Sequence, residues 1–136
     1  MLDLKPLLTN ARTIAVVGCS DNPTRTSFVI AQYLHEAGYQ VIPINPYIED
    51  CNGIKAYARL QDLPDDMHVD IVNIFRAPRY TADMVQMVFD YAERTGTRPT
   101  VWTQLGVSSE EAQQLAEVED LPYVKNRCIM IEHQRL

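Results

Sequence analysis

Short apolar runs alternate along this chain with stretches whose apolar residues recur at helical spacing. Ile14-Ala15-Val16-Val17 is an unbroken apolar run that predicts a buried strand over 13–17 and stops at Gly18. Phe28, Val29, Tyr33, Leu34 and Ala37 then fall along one helix over 27–37, with Gly38 as its C-terminal stop. Gln40 to Ile44 reads as a second strand, ended by Asn45-Pro46, because proline donates no ladder hydrogen bond and holds its predecessor extended. Val69 to Phe75 predicts a third strand. Met84, Val85, Val88, Phe89 and Ala92 predict a helix over 80–94, and Pro99 to Thr103 the next strand. Ser108-Ser109-Glu110-Glu111 supplies a hydroxyl cap and first-turn acids for a helix running to Val118, and Leu121 to Val124 is a last strand. Leu4, Leu7 and Leu8 place a short helix over 3–10. Residues 47–68 follow no single period, with a turn at Gly53 and a helical turn at Leu60-Gln61-Asp62-Leu63-Pro64.

Strands that alternate with helices over the whole length predict an α/β fold: a Rossmann-like, doubly wound open parallel sheet with helices on both faces. The 136 residues fit one domain, 1–136, and leave no room for a second. No apolar run approaches the ~20 residues needed to span a bilayer, and Met1-Leu2-Asp3-Leu4-Lys5 lacks the basic start of a signal peptide, so a cytoplasmic location is expected. The net charge of -6 disfavours nucleic acid and anionic membranes as partners, since phosphate polyanions require a basic surface. Cys19, Cys51 and Cys128 are widely spaced, without a C-x-x-C pair or a histidine pattern for zinc, and read as reduced thiols.

In a doubly wound sheet ligands lie outside the carboxyl ends of the strands at the switch point, which directs attention to the loops after 17, 44, 75 and 103. Gly18 lets the backbone approach a diphosphate, and the N–H groups opening the next helix favour negative charge. Ser20 and Ser27 offer hydroxyl groups there, and Arg25 a planar fork suited to phosphate; the plainer readings are a helix cap for Ser27 and a solvated surface for Arg25. The dinucleotide spacing G-x-G-x-x-G is absent, and Asn45-Pro46-Tyr47 puts no acid at the second strand tip to hold a ribose, so NAD is disfavoured. Phe75-Arg76-Ala77-Pro78-Arg79 adds two guanidinium groups at the same edge, and convergence with Arg25 would suit a ligand with several phosphates; Arg79 could instead pair with Asp83. After the fourth strand Trp102 reads as core, whereas Gln104 is a candidate contact. His35, His68 and His133 have no spacing to a nucleophile or metal, so no catalytic constellation emerges. Cys19 is the one candidate thiol, placed where a helix N-terminus would favour its thiolate; the plainer reading is a small residue that simply fits a crowded loop.

Taken in order, Val17-Gly18-Cys19-Ser20 with Pro23 and Arg25, Tyr33-Leu34, Gly38-Tyr39-Gln40-Val41, Pro43-Ile44-Asn45-Pro46, Val69-Asp70-Ile71-Val72 with Phe75-Arg76, Trp102-Thr103-Gln104-Leu105-Gly106-Val107 and Asn126-Arg127-Cys128-Ile129-Met130-Ile131-Glu132-His133 resemble the small single-domain bacterial CoA-binding proteins. These are relatives of the CoA-binding domain of the succinyl-CoA synthetase α subunit. The resemblance covers nearly the whole chain. It implies coenzyme A or acyl-CoA across the strand ends, with phosphates near Gly18, Cys19, Ser20 and Arg25 and further contacts from Asn45, Pro46, Phe75, Arg76 and Gln104. The synthetases carry a phosphorylated histidine and a nucleotide site on additional domains, for which this chain has no room. The expectation is therefore a noncatalytic carrier, sensor or regulatory module; an NAD(P)-binding protein and a CoA-dependent thiol or redox enzyme using Cys19 are the alternatives. Acyl preference, protein partners and oligomeric state have no signature in the sequence.

Overall fold

The computed structural model describes residues 2–136. Five parallel strands form the main sheet: β1 (Thr13–Val17), β2 (Gln40–Ile44), β5 (Ile71–Ile74), β6 (Thr100–Thr103) and β7 (Tyr123–Val124), in the order β2-β1-β5-β6-β7. Between β2 and β5 the chain forms a small antiparallel hairpin, β3 (Asp50–Cys51) with β4 (Ile54–Lys55), turned by Asn52 and Gly53, both at positive φ. The helices are α1 (Leu4–Asn10), α2 (Thr26–Glu36), α3 (Pro78–Thr95), α4 (Glu110–Val118) and α5 (Ile129–Gln134). Among the described residues no helix is long and apolar enough to cross a membrane.

Strand side chains alternate between two faces, and each face has its own core. Ile14, Val16, Val41, Ile71, Trp102 and Val124 pack with Leu8, Ile30, Leu34 and Ile129 of α1, α2 and α5. Ala15, Val17, Ile42, Ile44, Val72, Ile74 and Val101 pack with Val85, Val88, Tyr91, Ala112 and Ala116 of α3 and α4. Strands covered on both faces read as apolar runs, which is why central β1 and edge β2 match their expected bounds. The strand expected over Val69–Phe75 forms its ladder over Ile71–Ile74, and β7 is confined to Tyr123–Val124. Helix α3 begins at Pro78, earlier than the apolar spacing indicates, because proline suits the first turn where its missing N–H has no partner to lose.

Two elements escaped the sequence reading. The β3–β4 hairpin is too short to show a period of two. Helix α5 has six residues and a single fully buried side chain, Ile129, which is too few for a helical stripe. The connection from β1 crosses to β2 on one side and the next strand, β5, lies on the other. The switch point is therefore at the carboxyl ends of β1 and β5, where Gly18 and Phe75 leave the sheet.

Candidate functional site

A cleft of about 570 Å³ opens at this switch point, lined by Gly18, Ser20, Asp21, Thr24, Arg25, Thr26, Ser27, Asn45, Ile48 and Phe75. That volume falls within the usual range of small-molecule sites. Its floor is a loop held by its own polar groups. The Gly18 N–H donates to the Ile44 carbonyl at 2.9 Å, carrying the β1–β2 ladder one residue past the strand. The Ser20 N–H donates to Ser27 Oγ at 2.9 Å, and the Asn22 N–H to Ser20 Oγ at 3.0 Å. Asn22 Oδ1 accepts from the Thr24 N–H and hydroxyl, at 3.0 and 2.8 Å. Asn45 clamps the far wall: its Nδ2 donates to the Cys19 carbonyl at 2.8 Å and its Oδ1 accepts the Tyr47 N–H at 2.9 Å.

Helix α2 enters the cleft with Arg25 as N-cap, and no side chain caps it. Its first turn contains no acidic residue, so the N–H groups and the positive end of the helix dipole at the cleft have no carboxylate of their own turn beside them. Arg25 is exposed beside them and adds a full positive charge. The Asp21 carboxylate also lines the cleft and opposes an anion locally. The arrangement favours a phosphate seated at α2 and Arg25.

The sequence candidates divide into three groups. Gly18, Ser20, Arg25, Ser27, Asn45 and Phe75 come together in the cleft. Ser27 does not cap α2; its Oγ holds the loop at Ser20, which is a third role beside the two considered from sequence. Arg76 belongs to the rim: its Cδ would lie 3.2 Å from a Cβ at Gly18, and its guanidinium sits 4.6 Å from the centre of the Tyr80 ring. Arg79 stacks on the same ring at 4.7 Å and, among the described residues, makes no ion pair with Asp83. The two guanidinium groups, Arg79 foremost through its hydrogen bond, hold the half-buried Tyr80 phenol below its ordinary pKa.

The third group lies outside the cleft lining. Pro46 is exposed and does not line the cleft. Gln104 is 5% exposed, and its Oε1 accepts from Asn73 Nδ2 at 3.0 Å and from the Ile129 N–H at 2.9 Å. It anchors α5 rather than a ligand, because α5 and Asn126, whose Oδ1 takes the Gly106 N–H at 2.7 Å, occupy the carboxyl end of β6. Cys19 contributes its backbone to the loop, but its side chain is fully buried. Burial above all, then the neighbouring Cys51 and the charge of Asp21, drives that thiol well above the ordinary thiol range, the reverse of an activated helix-terminal cysteine. Asp21, Thr24, Thr26 and Ile48 line the cleft and were missed; their membership depends on how the loop folds back, which spacing alone does not encode. Trp102 is core, as expected, with its Nε1 donating to the Arg127 carbonyl at 2.8 Å.

A family model described as a CoA binding domain matches residues 12–134. The uncharacterized protein YneT of Bacillus subtilis (strain 168) is 34% identical over 131 residues, covering 96% of this chain and 92% of that protein. The solved structure of a hypothetical protein from Pyrococcus horikoshii OT3 superposes with a TM-score of 0.89 at 35% identity, covering 98% of this chain and 89% of that one. More distantly, the alpha subunit of the ADP-forming acetate–CoA ligase II of Pyrococcus furiosus is 33% identical over 64 residues, 46% of this chain and 14% of that subunit.

Proposed function

We propose that this chain, which belongs to the CoA-binding domain family, holds coenzyme A or an acyl-CoA in the cleft at the ends of β1, β2 and β5 and acts without catalysing a reaction on it. The observation that carries this reading is the uncapped α2 N-terminus with Arg25 beside it, opening into a cleft floored by Gly18. The N–H groups of the first helical turn and the Arg25 fork take phosphate oxygens, while the Ser27 hydroxyl, whose oxygen already accepts from Ser20, has its own hydrogen left to donate. Arg76 at the rim offers a second cationic contact, which suits a ligand with phosphates on both the pyrophosphate and the ribose.

The noncatalytic part of the reading rests on what surrounds the cleft. The titratable group among its lining residues, besides Arg25, is Asp21, and no nucleophile–base pair accompanies it. Among the described residues no group of three or more histidine, cysteine or acidic side chains is placed to hold a metal ion. The role is then that of a carrier, a sensor of CoA status or a regulatory module. Native mass spectrometry of the purified protein tests it: the expected result is a retained mass equal to CoA or one of its thioesters, displaced by added CoA. A retained nicotinamide dinucleotide, or failure to take up CoA supplied in excess, would overturn it.

A further inference from the structure

In the core packed under α1, α2 and α5, outside the cleft lining, Cys19 and Cys51 place their sulfurs 3.5 Å apart, both fully buried. The Cys19 thiol donates toward the Cys51 sulfur, and the Cys51 thiol toward the Ser20 carbonyl, also at 3.5 Å. A third group completes the cluster. Gln32 of α2 accepts Asn52 Nδ2 on its Oε1 at 2.8 Å, which fixes the orientation of the amide. Its Nε2 is buried without a hydrogen bond of ordinary geometry, yet lies near enough to the Cys51 sulfur to favour the ionised form. A neutral thiol accepts weakly and leaves this donor nearly orphaned; a thiolate satisfies it.

The Cys51 sulfur thus has a buried, unpartnered amide donor on its side of the pair, and Cys19 has none. Burial above all raises the Cys51 pKa, with Asp21 and Asp50 adding to the rise, while Cys19 and Gln32 hold part of it back. Cys19 has burial, Cys51 and Asp21 all set against its ionisation. The two thiols are therefore unequal, as an attacking and a resolving cysteine must be.

We propose that Cys19 and Cys51 form a peroxide-reactive dithiol that closes to an intramolecular disulfide, with Cys51 attacking, Cys19 resolving and Gln32 positioning the attacking sulfur. The Cys51 thiolate attacks one oxygen of hydrogen peroxide; the O–O bond breaks, the sulfenic acid forms, and the departing hydroxide leaves as water with the proton the thiol gave up. The Cys19 sulfur then attacks the Cys51 sulfur, the S–O bond breaks, and the second hydroxide leaves as water with the Cys19 proton. Two thiols lose two hydrogens and two electrons in all, and one peroxide becomes two waters. Both sulfurs are fully buried, so the reaction requires the β3–β4 hairpin to open and admit peroxide. Two residues per strand make a ribbon of marginal stability, tied to the main sheet chiefly through Tyr57, whose N–H donates to Pro43 and whose carbonyl accepts from Asn45. Closure joins that hairpin to the phosphate-side loop and withdraws both S–H donors from beside the Ser20 carbonyl.

The test uses the reduced full-length chain and needs no coenzyme, so its result is independent of the CoA reading. The protein is treated with a small excess of hydrogen peroxide, quenched in denaturant with N-ethylmaleimide and analysed by intact mass and peptide mapping. The expected product has lost two hydrogens, carries one maleimide, on Cys128, and yields a peptide pair linked through Cys19 and Cys51. Cys19→Ser should accumulate a sulfenic acid on Cys51 that a dimedone probe traps, and Cys51→Ser should give no adduct on Cys19. Gln32→Leu should slow the Cys51 reaction about tenfold and shift its pH midpoint upward while leaving the Cys128 rate unchanged. The proposal is overturned if wild-type Cys19 and Cys51 both take maleimide after peroxide, if a Cys128-linked dimer forms first, or if the trapped sulfenic acid lies on Cys19. The wild-type mass result decides the matter even where a variant fails to fold.

Discussion

A Cβ built on Gly18 would lie 2.9 Å from the carbonyl oxygen of Phe75 and 3.2 Å from Arg76 Cδ, and Gly18 itself has φ +82. The ends of β1 and β5 therefore meet backbone to backbone at the switch point, with no space for a side chain between them. The phosphate-side loop leaves the sheet directly over β5, and this close approach brings Phe75 and the Gly18–Ser20 segment to one cleft.

Gly18→Ala should accordingly fail twice, through left-handed backbone strain and through collision with the Phe75 carbonyl, whose residue is fixed at the strand end by its N–H donating to the Val17 carbonyl at 2.9 Å. A destabilisation of roughly 1–3 kcal/mol is expected from the backbone conformation alone, seen as a melting temperature lowered by several degrees, together with loss of CoA binding. A variant with wild-type melting would show that the loop does not adopt this approach.

Arg25→Ala separates binding from stability. The side chain is exposed and caps nothing, so thermal stability should change by less than ~0.5 kcal/mol. Loss of a charge-assisted bond to phosphate should weaken CoA by about 1.5–3 kcal/mol, or one to two orders of magnitude in Kd. Titration calorimetry beside a melting curve measures both; unchanged affinity would remove Arg25 from the site.

Gln104→Leu should show the opposite pattern. It strips the acceptor from the Ile129 N–H and from Asn73 Nδ2, both buried, and each orphaned donor costs roughly 1–3 kcal/mol. The melting temperature should fall, and hydrogen exchange in α5 should rise. CoA affinity at a temperature where the variant is folded should stay close to wild type; a large loss there would return Gln104 to the ligand site.

The stability of the fold should decline on the alkaline side. Burial raises the pKa of Cys19, Cys51 and Tyr39 in the folded state, so the folded chain keeps protons that the unfolded chain releases. These groups leave stability unchanged while pH is below the free thiol value of 9.0, and stability falls as pH rises past it toward the folded values. Denaturant unfolding between neutral and alkaline pH should show this slope, and Cys19→Ala should flatten it. An equal slope in that variant would mean the buried thiols are not its source.

Much of this fold was legible because its strands are doubly buried. Val16 and Ile42 report β1 and β2 through unbroken apolar runs, and Ser109 reports the start of α4 by capping Ala112 at 3.1 Å. The cleft was legible where chemistry sits at a strand tip, as at Gly18, Asn45 and Phe75. It was illegible where membership depends on the return path of a loop, as for Asp21 and Ile48. Cys19 and Gln104 were ambiguous in the sequence for one physical reason: a position just past a strand end can face the cleft or the chain's own cover. The hairpin at Cys51 and the short α5 at Ile129 supply that cover, and both are too short to announce themselves by periodicity.

The central claim is that the cleft is built for a coenzyme with several phosphates, read by the α2 N-terminus, Arg25 and Arg76. Calorimetric titration of the reduced protein with CoA, dephospho-CoA, NAD and NADP tests it most directly. CoA should bind, dephospho-CoA more weakly for want of the ribose phosphate, and both nicotinamide dinucleotides far more weakly still. NAD or NADP binding as tightly as CoA, or no heat with CoA at any concentration, would contradict the account.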